Sequence, residues 1–307
     1  MRTYERRVRK KRPKPWKLVH SIWGPRRKAC DAKDFYDPPE VKRRAFAIDW
    51  AKARSKYSLE KKVGRAAKKL GDADEGVVQA CTVEALEAAV FEHYDLMFQV
   101  FHFYCAFGAS DDTFSLSNNA YIQILRETNL VNNGVEGQRD ADLQILFEGT
   151  NARAGKDEVF NAKLALDREE WIGVLVEIIL RRHVETATSG AQLGVSEAVR
   201  AFFRDDIAPR VPSVCLQDSN RFRAEYCYIE ATDLVLKRYE GSLRALYNAF
   251  AFGTGAIGHQ LYSVKLLDFG EYMGLIGKIN LIDTYISQRE VRAPGLHLVT
   301  HAPLTSC

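Results

Sequence analysis

A helix-forming aromatic stretch in the first third of the chain is repeated 145 residues later. Displacing residues 91–108 by that amount puts Tyr94 on Tyr239, Phe98 on Leu243, Phe101 on Leu246, Phe107 on Phe252 and Gly108 on Gly253, without a gap. In the first copy Phe91, Tyr94, Phe98, Phe101 and Cys105 recur at spacings of 3, 4, 3 and 4, and Leu236, Tyr239, Leu243, Leu246 and Phe250 do the same in the second. That period lines each set along one side of a helix. A lone helix has nothing to bury such a stripe against, so each copy is expected to open a lobe that folds around it.

The chain on either side divides accordingly. Asp37 as cap, Pro39 in a first turn and Glu40 against the helix dipole predict a helix from there through Trp50 to about Leu70, its Lys- and Ala-rich later part solvated. Residues 37–79 thus read as a helical linker, with 71–76 breaking the helix. The first lobe, 80–185, has four helices. The striped one is capped at Gly108; a second carries Leu116, Tyr121, Ile124 and Leu125; the turn Asn132-Asn133-Gly134 leads to a third from Asp140. The fourth opens on Asp167-Arg168-Glu169-Glu170, an acidic variant of the capping box that contributes about 1 kcal/mol, and buries Trp171, Leu175, Ile178 and Ile179.

The second lobe, 195–292, begins with a connector helix bearing Val199, Phe202 and Phe203. Its striped helix follows, and a further helix realigns at an offset of 151, with Leu116 on Leu267, Tyr121 on Tyr272 and Leu125 on Ile276. The match stops before Pro294-Gly295, and 293–307 is an irregular tail. This lobe lacks a counterpart of the fourth helix, so Leu275, Ile279 and Ile286 are expected to be covered by another chain, or else the gene model is cut or frame-shifted near Ala293.

Charge is divided just as unevenly. Residues 1–28 hold 12 Lys or Arg against one acid, a net +11, and the remainder holds 32 against 39, a net −7. The segment 1–36 reads as an extended or disordered basic arm, with Arg6, Arg7, Arg9, Lys10, Lys11, Arg12 and Lys14 available to a polyanion: the acidic surface of tubulin, nucleic acid, anionic lipid or a nuclear import receptor. Trp16 and Trp23 favour docking of that arm on a partner surface, since an exposed indole is unfavourable. No run of 18 apolar residues and no signal-peptide core occurs, so neither membrane spanning nor secretion is indicated and a cytoplasmic place is expected. Six scattered cysteines without a Cys-x-x-Cys pair read as buried thiols.

Three loop-to-helix junctions share one pattern: Leu116 then Tyr121, Leu166 with Glu170-Trp171, and Leu267 with Glu271-Tyr272. Each resembles the closing half of an EF-hand loop, in which the aliphatic at position eight pairs between loops and position twelve supplies a bidentate carboxylate. On this resemblance the chain is all-α, two EF-hand-like lobes of the calmodulin superfamily, the second incomplete. The segment 21–50 is also similar to two-lobed EF-hand-like proteins of flagellated protists, which implies a ciliary or flagellar place. Calcium needs about six or seven oxygens and a glycine at position six. The loops offer Ala109, Val159 and Gln260 at position one, and Phe114, Leu164 and Lys265 at position six, so tight binding is not expected. Were an ion held, Asp111, Asp112, Asn161, Glu170 and Glu271 would be its ligands.

Other chemistry is set aside on context. Gly253, Gly255 and Gly258 match a dinucleotide fingerprint but follow a helix where a strand is required. His102 and Cys105 lie one turn apart on a stripe already committed to packing, and His297 and His301 fall in the irregular tail. The expectation is a non-enzymatic interaction protein without a cofactor, holding partner helices in its lobe grooves. A calcium sensor and a nucleic-acid-binding or nuclear protein are the alternatives.

Overall fold

The structure, a computed structural model, describes residues 15–29, 35–69, 81–106, 115–152, 164–185, 193–251, 267 and 269–282. The arm cations from Arg6 to Lys14, the loop residues Asp111, Asp112 and Asn161, the glycines after Phe252 and the tail lie outside them. Among the described residues the fold is all-α apart from one two-residue ladder, and no helix is long and apolar enough to cross a membrane.

A short helix α1 (Gly24–Ala29) precedes α2 (Pro39–Tyr57) and α3 (Leu59–Lys69). The single long helix expected here is broken at Ser58, whose φ of 51° is left-handed. Asp37 does not cap it: Pro38 is the N-cap, and Asp37 turns instead to Asn220 and Arg223. Nor is the Lys-rich half merely solvated. Leu59, Val63 and Ala66 form a buried stripe along α3, and Phe46, Trp50, Ala53 and Tyr57 do so along α2. The basic side chains occupy the other face, so the composition that suggests a solvated helix is that of an amphipathic one.

The first striped rod is two helices, α4 (Val83–Glu92) and α5 (Tyr94–Cys105), bent at His93 with φ −106° and ψ 17°. Thr82 caps α4 by accepting from the Ala85 N–H at 3.1 Å. The bend lays the His93 ring on Phe203 at 4.6 Å between centroids. Next come β1 (Leu116–Ser117), α6 (Asn118–Glu127) and α7 (Asp140–Asn151), then β2 (Ala165–Leu166) and α8 (Arg168–Ile179), which runs on in wider turns through Leu180–Glu185. The capping box at the head of α8 forms as the residues require: Asp167 accepts from the Glu170 N–H and Glu170 accepts from the Asp167 N–H, each at 2.9 Å.

One core runs from Phe46 to Cys215. It includes α2 and α3, and also the connector, α9 (Val195–Ala201) with its continuation Phe202–Ile207, whose Val195, Ala198, Val199 and Phe202 are wholly buried. The boundaries drawn at 79 and 195 therefore do not separate one core from another. Both flanking segments bring apolar stripes that the lobe between them needs. At the closest approach an added Cβ on Gly173 of α8 would stand 2.6 Å from the Tyr57 ring, so only glycine admits that ring.

The second rod, α11 (Glu230–Arg238) and α12 (Glu240–Phe250), follows the short helix α10 (Ser219–Phe222) and bends at Tyr239 with φ −102° and ψ 10°. Only α13 (Phe269–Lys278) packs beside it among the later described residues, its side marked by the Leu267 N–H donating to Tyr247 Oη at 3.2 Å. Among the described residues this stripe is not enclosed as the first one is. Tyr239, Leu243 and Leu246 are 51, 43 and 39% exposed, where Phe98 and Phe101 of the first rod are 4 and 0%.

Candidate functional site

The paired loops come first, because the resemblance places any ion there. Leu116 and Leu166 face each other in an antiparallel ladder, and both side chains are wholly buried beneath α6 and α8. The carboxylate available at the end of the second loop, Glu170, is wholly buried and engaged in the capping box. Burial, and then the charge of Glu170 beside it, push Asp167 up to about 7. Glu271 lies in the first turn of α13, and among the described residues no group of three His, Cys, Asp or Glu is placed to hold a metal. His102 and Cys105 are part of the first rod, Cys105 being 2% exposed, and Cys81, Cys105, Cys215 and Cys227 are all thiols.

A cavity of about 240 Å³ opens between α2, α5 and Ser219, lined in part by Lys42, Tyr94, Asp95, His102 and Arg168. Its cations are already neutralised. Lys42 holds Asp95 at 2.7 Å, and Arg168 holds Asp49 at 2.9 Å while lying 3.8 Å over the Phe98 ring. The cavity therefore offers an anion little net charge.

Glu169 and Glu177, both buried, and the half-buried Glu185 stand eight residues apart on α8 and its continuation, and cations of α2 meet the first while those of α3 meet the other two. Lys56 and Lys52 reach Glu169 at 3.3 and 3.6 Å, Lys62 and Arg65 reach Glu177 at 2.8 and 3.2 Å, and Lys69 and Arg65 reach Glu185. Burial opposes the charge on Glu177, but Lys62 and Arg181 outweigh it and hold that carboxyl below the usual range. The arrangement straps α2 and α3 across α8.

The described residues of the arm have partners within the chain. Trp16 Nε1 donates to Asp233 Oδ2, and the Ile22 N–H to Asp233 Oδ1, both at 2.9 Å, while Lys237 completes the set at 2.8 Å. Burial disfavours the Asp233 carboxylate, but these three donors together hold its pKa below the ordinary value. Trp23, Phe35 and Tyr36 all meet the Tyr228 ring edgewise, at 5.3 to 5.8 Å. Trp16 and Trp23, read as anchors for another molecule, are thus held against the start of the second half. Sequence reasoning passed over Asp233 because one acid in a helical first turn looks like ordinary dipole matching. The acid ladder did leave a trace, the eight-residue spacing of Glu169, Glu177 and Glu185 opposite a basic amphipathic helix.

On the second rod the stripe residues Tyr239, Leu243 and Leu246 are between 39 and 51% exposed. Large apolar side chains exposed along one side of a helix mark interaction surfaces. No family model, no curated protein and no solved structure matches this chain.

Proposed function

We propose that the protein is a non-enzymatic interaction scaffold of EF-hand-like build, independent of tight calcium binding, that offers its second rod to a protein partner. One observation carries the reading: of two rods with equivalent stripes, the first buries Phe98 and Phe101, whereas Tyr239, Leu243 and Leu246 at the corresponding places of the second are exposed. The Leu116 and Leu166 ladder supports the EF-hand-like part, since pairing at those two positions is what the loop resemblance implies. The engagement of Glu170 in its helix cap supports independence from calcium. The basic arm, with its net charge opposite to that of the body, supports contact with an acidic lattice, and a ciliary, microtubule-associated role is the specific form of this proposal.

A photo-reactive residue at position 246, introduced into the full chain in its own cells, tests the scaffold. An adduct with a different polypeptide is expected, and adducts confined to the chain itself would count against it. For the arm, cosedimentation with microtubules should fall at least severalfold when the chain starts at Asp34, and equal pelleting of both forms at physiological salt removes that part. Calorimetry should show no micromolar calcium binding; binding abolished by Glu170→Gln would install a sensor instead.

A further inference from the structure

The chain carries a second band of positive charge besides its arm. Residues 39–69, which form α2 and α3, hold 11 Lys or Arg against three acids, a net +8, whereas residues 70–307 hold 20 against 33, a net −13. Part of that band is answered within the fold by Asp95, Glu169, Glu177 and Glu185. The rest points outward. The buried stripes run through Phe46, Trp50, Ala53 and Tyr57 on α2 and through Leu59, Val63 and Ala66 on α3. At about 100° per residue the opposite line passes through Arg44, Ile48 and Ser55 and then Lys61 and Lys68, all of them exposed. Lys56 meets Glu169, Lys62 meets Glu177 and Lys69 meets Glu185, so both helices follow α8 in one direction and both outer lines look away from the same core. Unlike those paired cations, Arg44, Lys61 and Lys68 make no ion pair among the described residues.

We infer that the outer side of α2 and α3 docks an acidic segment of another protein, its carboxylates on Arg44, Lys61 and Lys68 and an apolar side chain against Ile48. Charge complementarity sets the sign of the partner, because these three cations have no counter-charge on a body that is otherwise acidic. Ile48 sets its class. It is 63% exposed, one turn from Arg44 and one turn from Lys52. A polypeptide can set an apolar side chain beside its acids, whereas a phosphate backbone presents polar groups there. A lipid surface is poorly matched, since the exposed neighbours of Ile48 are Ala47, Ala51 and Ser55, without the large apolar side chains that enter an acyl layer. The inference adds a surface to the scaffold reading and uses neither the second rod nor the arm, so it can fail while that reading stands.

The probe is a fluorescein-labelled peptide of sixteen glutamates with a leucine at its centre, titrated into the full chain and read by anisotropy at about 0.1 M salt. A second probe has glutamate in place of the leucine. Arg44→Ser combined with Lys61→Ser and Lys68→Ser should weaken binding about fivefold or more, and Ile48→Ser about threefold for the leucine probe only. Removing equal charge elsewhere, with Arg126→Ser, Arg238→Ser and Lys278→Ser, should leave the affinity within about twofold. In the wild type, carbodiimide coupling should join probe glutamates to Lys61 and Lys68, a reading that needs no variant to fold. Equal weakening by the two triple variants reduces the effect to net charge and overturns the inference. Indifference to the first triple, or coupling confined to other lysines, places the peptide on the arm or elsewhere and overturns it too. Ile48→Ser without effect on the leucine probe removes the choice of a polypeptide. An oligothymidylate or phosphatidylserine vesicles held through the same three cations more tightly than the peptide would make this a phosphate surface instead. A tenfold gain in affinity on neutralising Asp72, Asp74 and Glu75 would make the chain's own acids the occupant, and a dimer in sedimentation that the first triple dissolves would make it a second copy; either result overturns the inference.

Discussion

Trp16 and Asp233, 217 residues apart, are joined by a hydrogen bond of 2.9 Å from the indole to a carboxylate with no exposed surface. The contact matters because it ties the root of the basic arm to the first turns of the rod whose apolar side is uncovered. The two features that the charge pattern and the repeat single out separately therefore meet at one place.

Removing that carboxylate should release the segment without unfolding the first core. In Asp233→Ala three donors lose an ionised acceptor, a loss of about 2 kcal/mol or more for contacts made to a charged group. Hydrogen exchange over residues 16–24 should accelerate while that of α5 and α8 stays unchanged. The same release should follow pH. Because the folded pKa of Asp233 is lowered, its contribution is complete above the unfolded value near 4 and disappears as pH falls through the folded one. Acid-induced release that persists in Asp233→Asn would assign the effect to another group.

Gly173→Ala should be costly out of proportion to its size. The added methyl would stand 2.6 Å from Cδ2 and 2.9 Å from Cγ of Tyr57, whose ring is itself buried in the core. Overpacking of this kind costs about 1–3 kcal/mol. Tyr57→Leu withdraws the ring, so in the double variant the second change should add less than it does alone. Strict additivity in urea unfolding would mean that α2 does not press on α8 at this point.

Much of the helical content is legible because it rests on local rules. The 3, 4 spacing, the Asp167 to Glu170 box and the Asn132 turn, in which the Asn132 side chain accepts from the Gly134 N–H at 3.1 Å, depend on residues a few positions apart. What escapes a sequence reading is set by distant partners. A Lys-rich helix such as α3 has the composition of a solvated segment until Glu177 and Glu185, on α8 and its continuation, are placed beneath it. The fate of the two stripes is equally invisible, for Leu243 and Phe98 satisfy the same pattern, and only the presence of α2 and α8 around the first makes one core and the other surface. Of the residues singled out for binding, Glu170 turns to its own helix and Trp16 and Trp23 turn inward, because a polar or aromatic group finds a partner in the chain before it waits for one outside.

Asp167 should impose a pH dependence opposite in sign to that of Asp233. Its folded pKa is raised, so its favourable contribution is complete below the unfolded value near 4 and is lost as pH rises to about 7, at up to about 1.4 kcal/mol per pH unit across that window. Asn also caps helices, so Asp167→Asn keeps an acceptor for the Glu170 N–H and removes the titration. Urea midpoints between pH 5 and 7.5 should fall more steeply for the wild type than for the variant. Parallel slopes would show that the pair does not titrate in this range.

The acid ladder should prove asymmetric between its two sides. Lys62→Met takes one cation from Glu177 but leaves Arg65 and Arg181 on it, at 3.2 and 2.9 Å, so the carboxylate stays paired and the loss should remain below about 1 kcal/mol. Glu177→Leu does the reverse: it strands Lys62, whose side chain is 13% exposed, and takes an acceptor from both arginines, which puts the loss nearer 3 kcal/mol. High salt should not close that gap, because the carboxylate itself is 5% exposed and ions in solution screen it poorly. Equal losses for the two substitutions, or a gap that vanishes at 1 M salt, would reduce the strap of α2 and α3 to ordinary surface charge and leave its apolar stripe as the sole tie to α8.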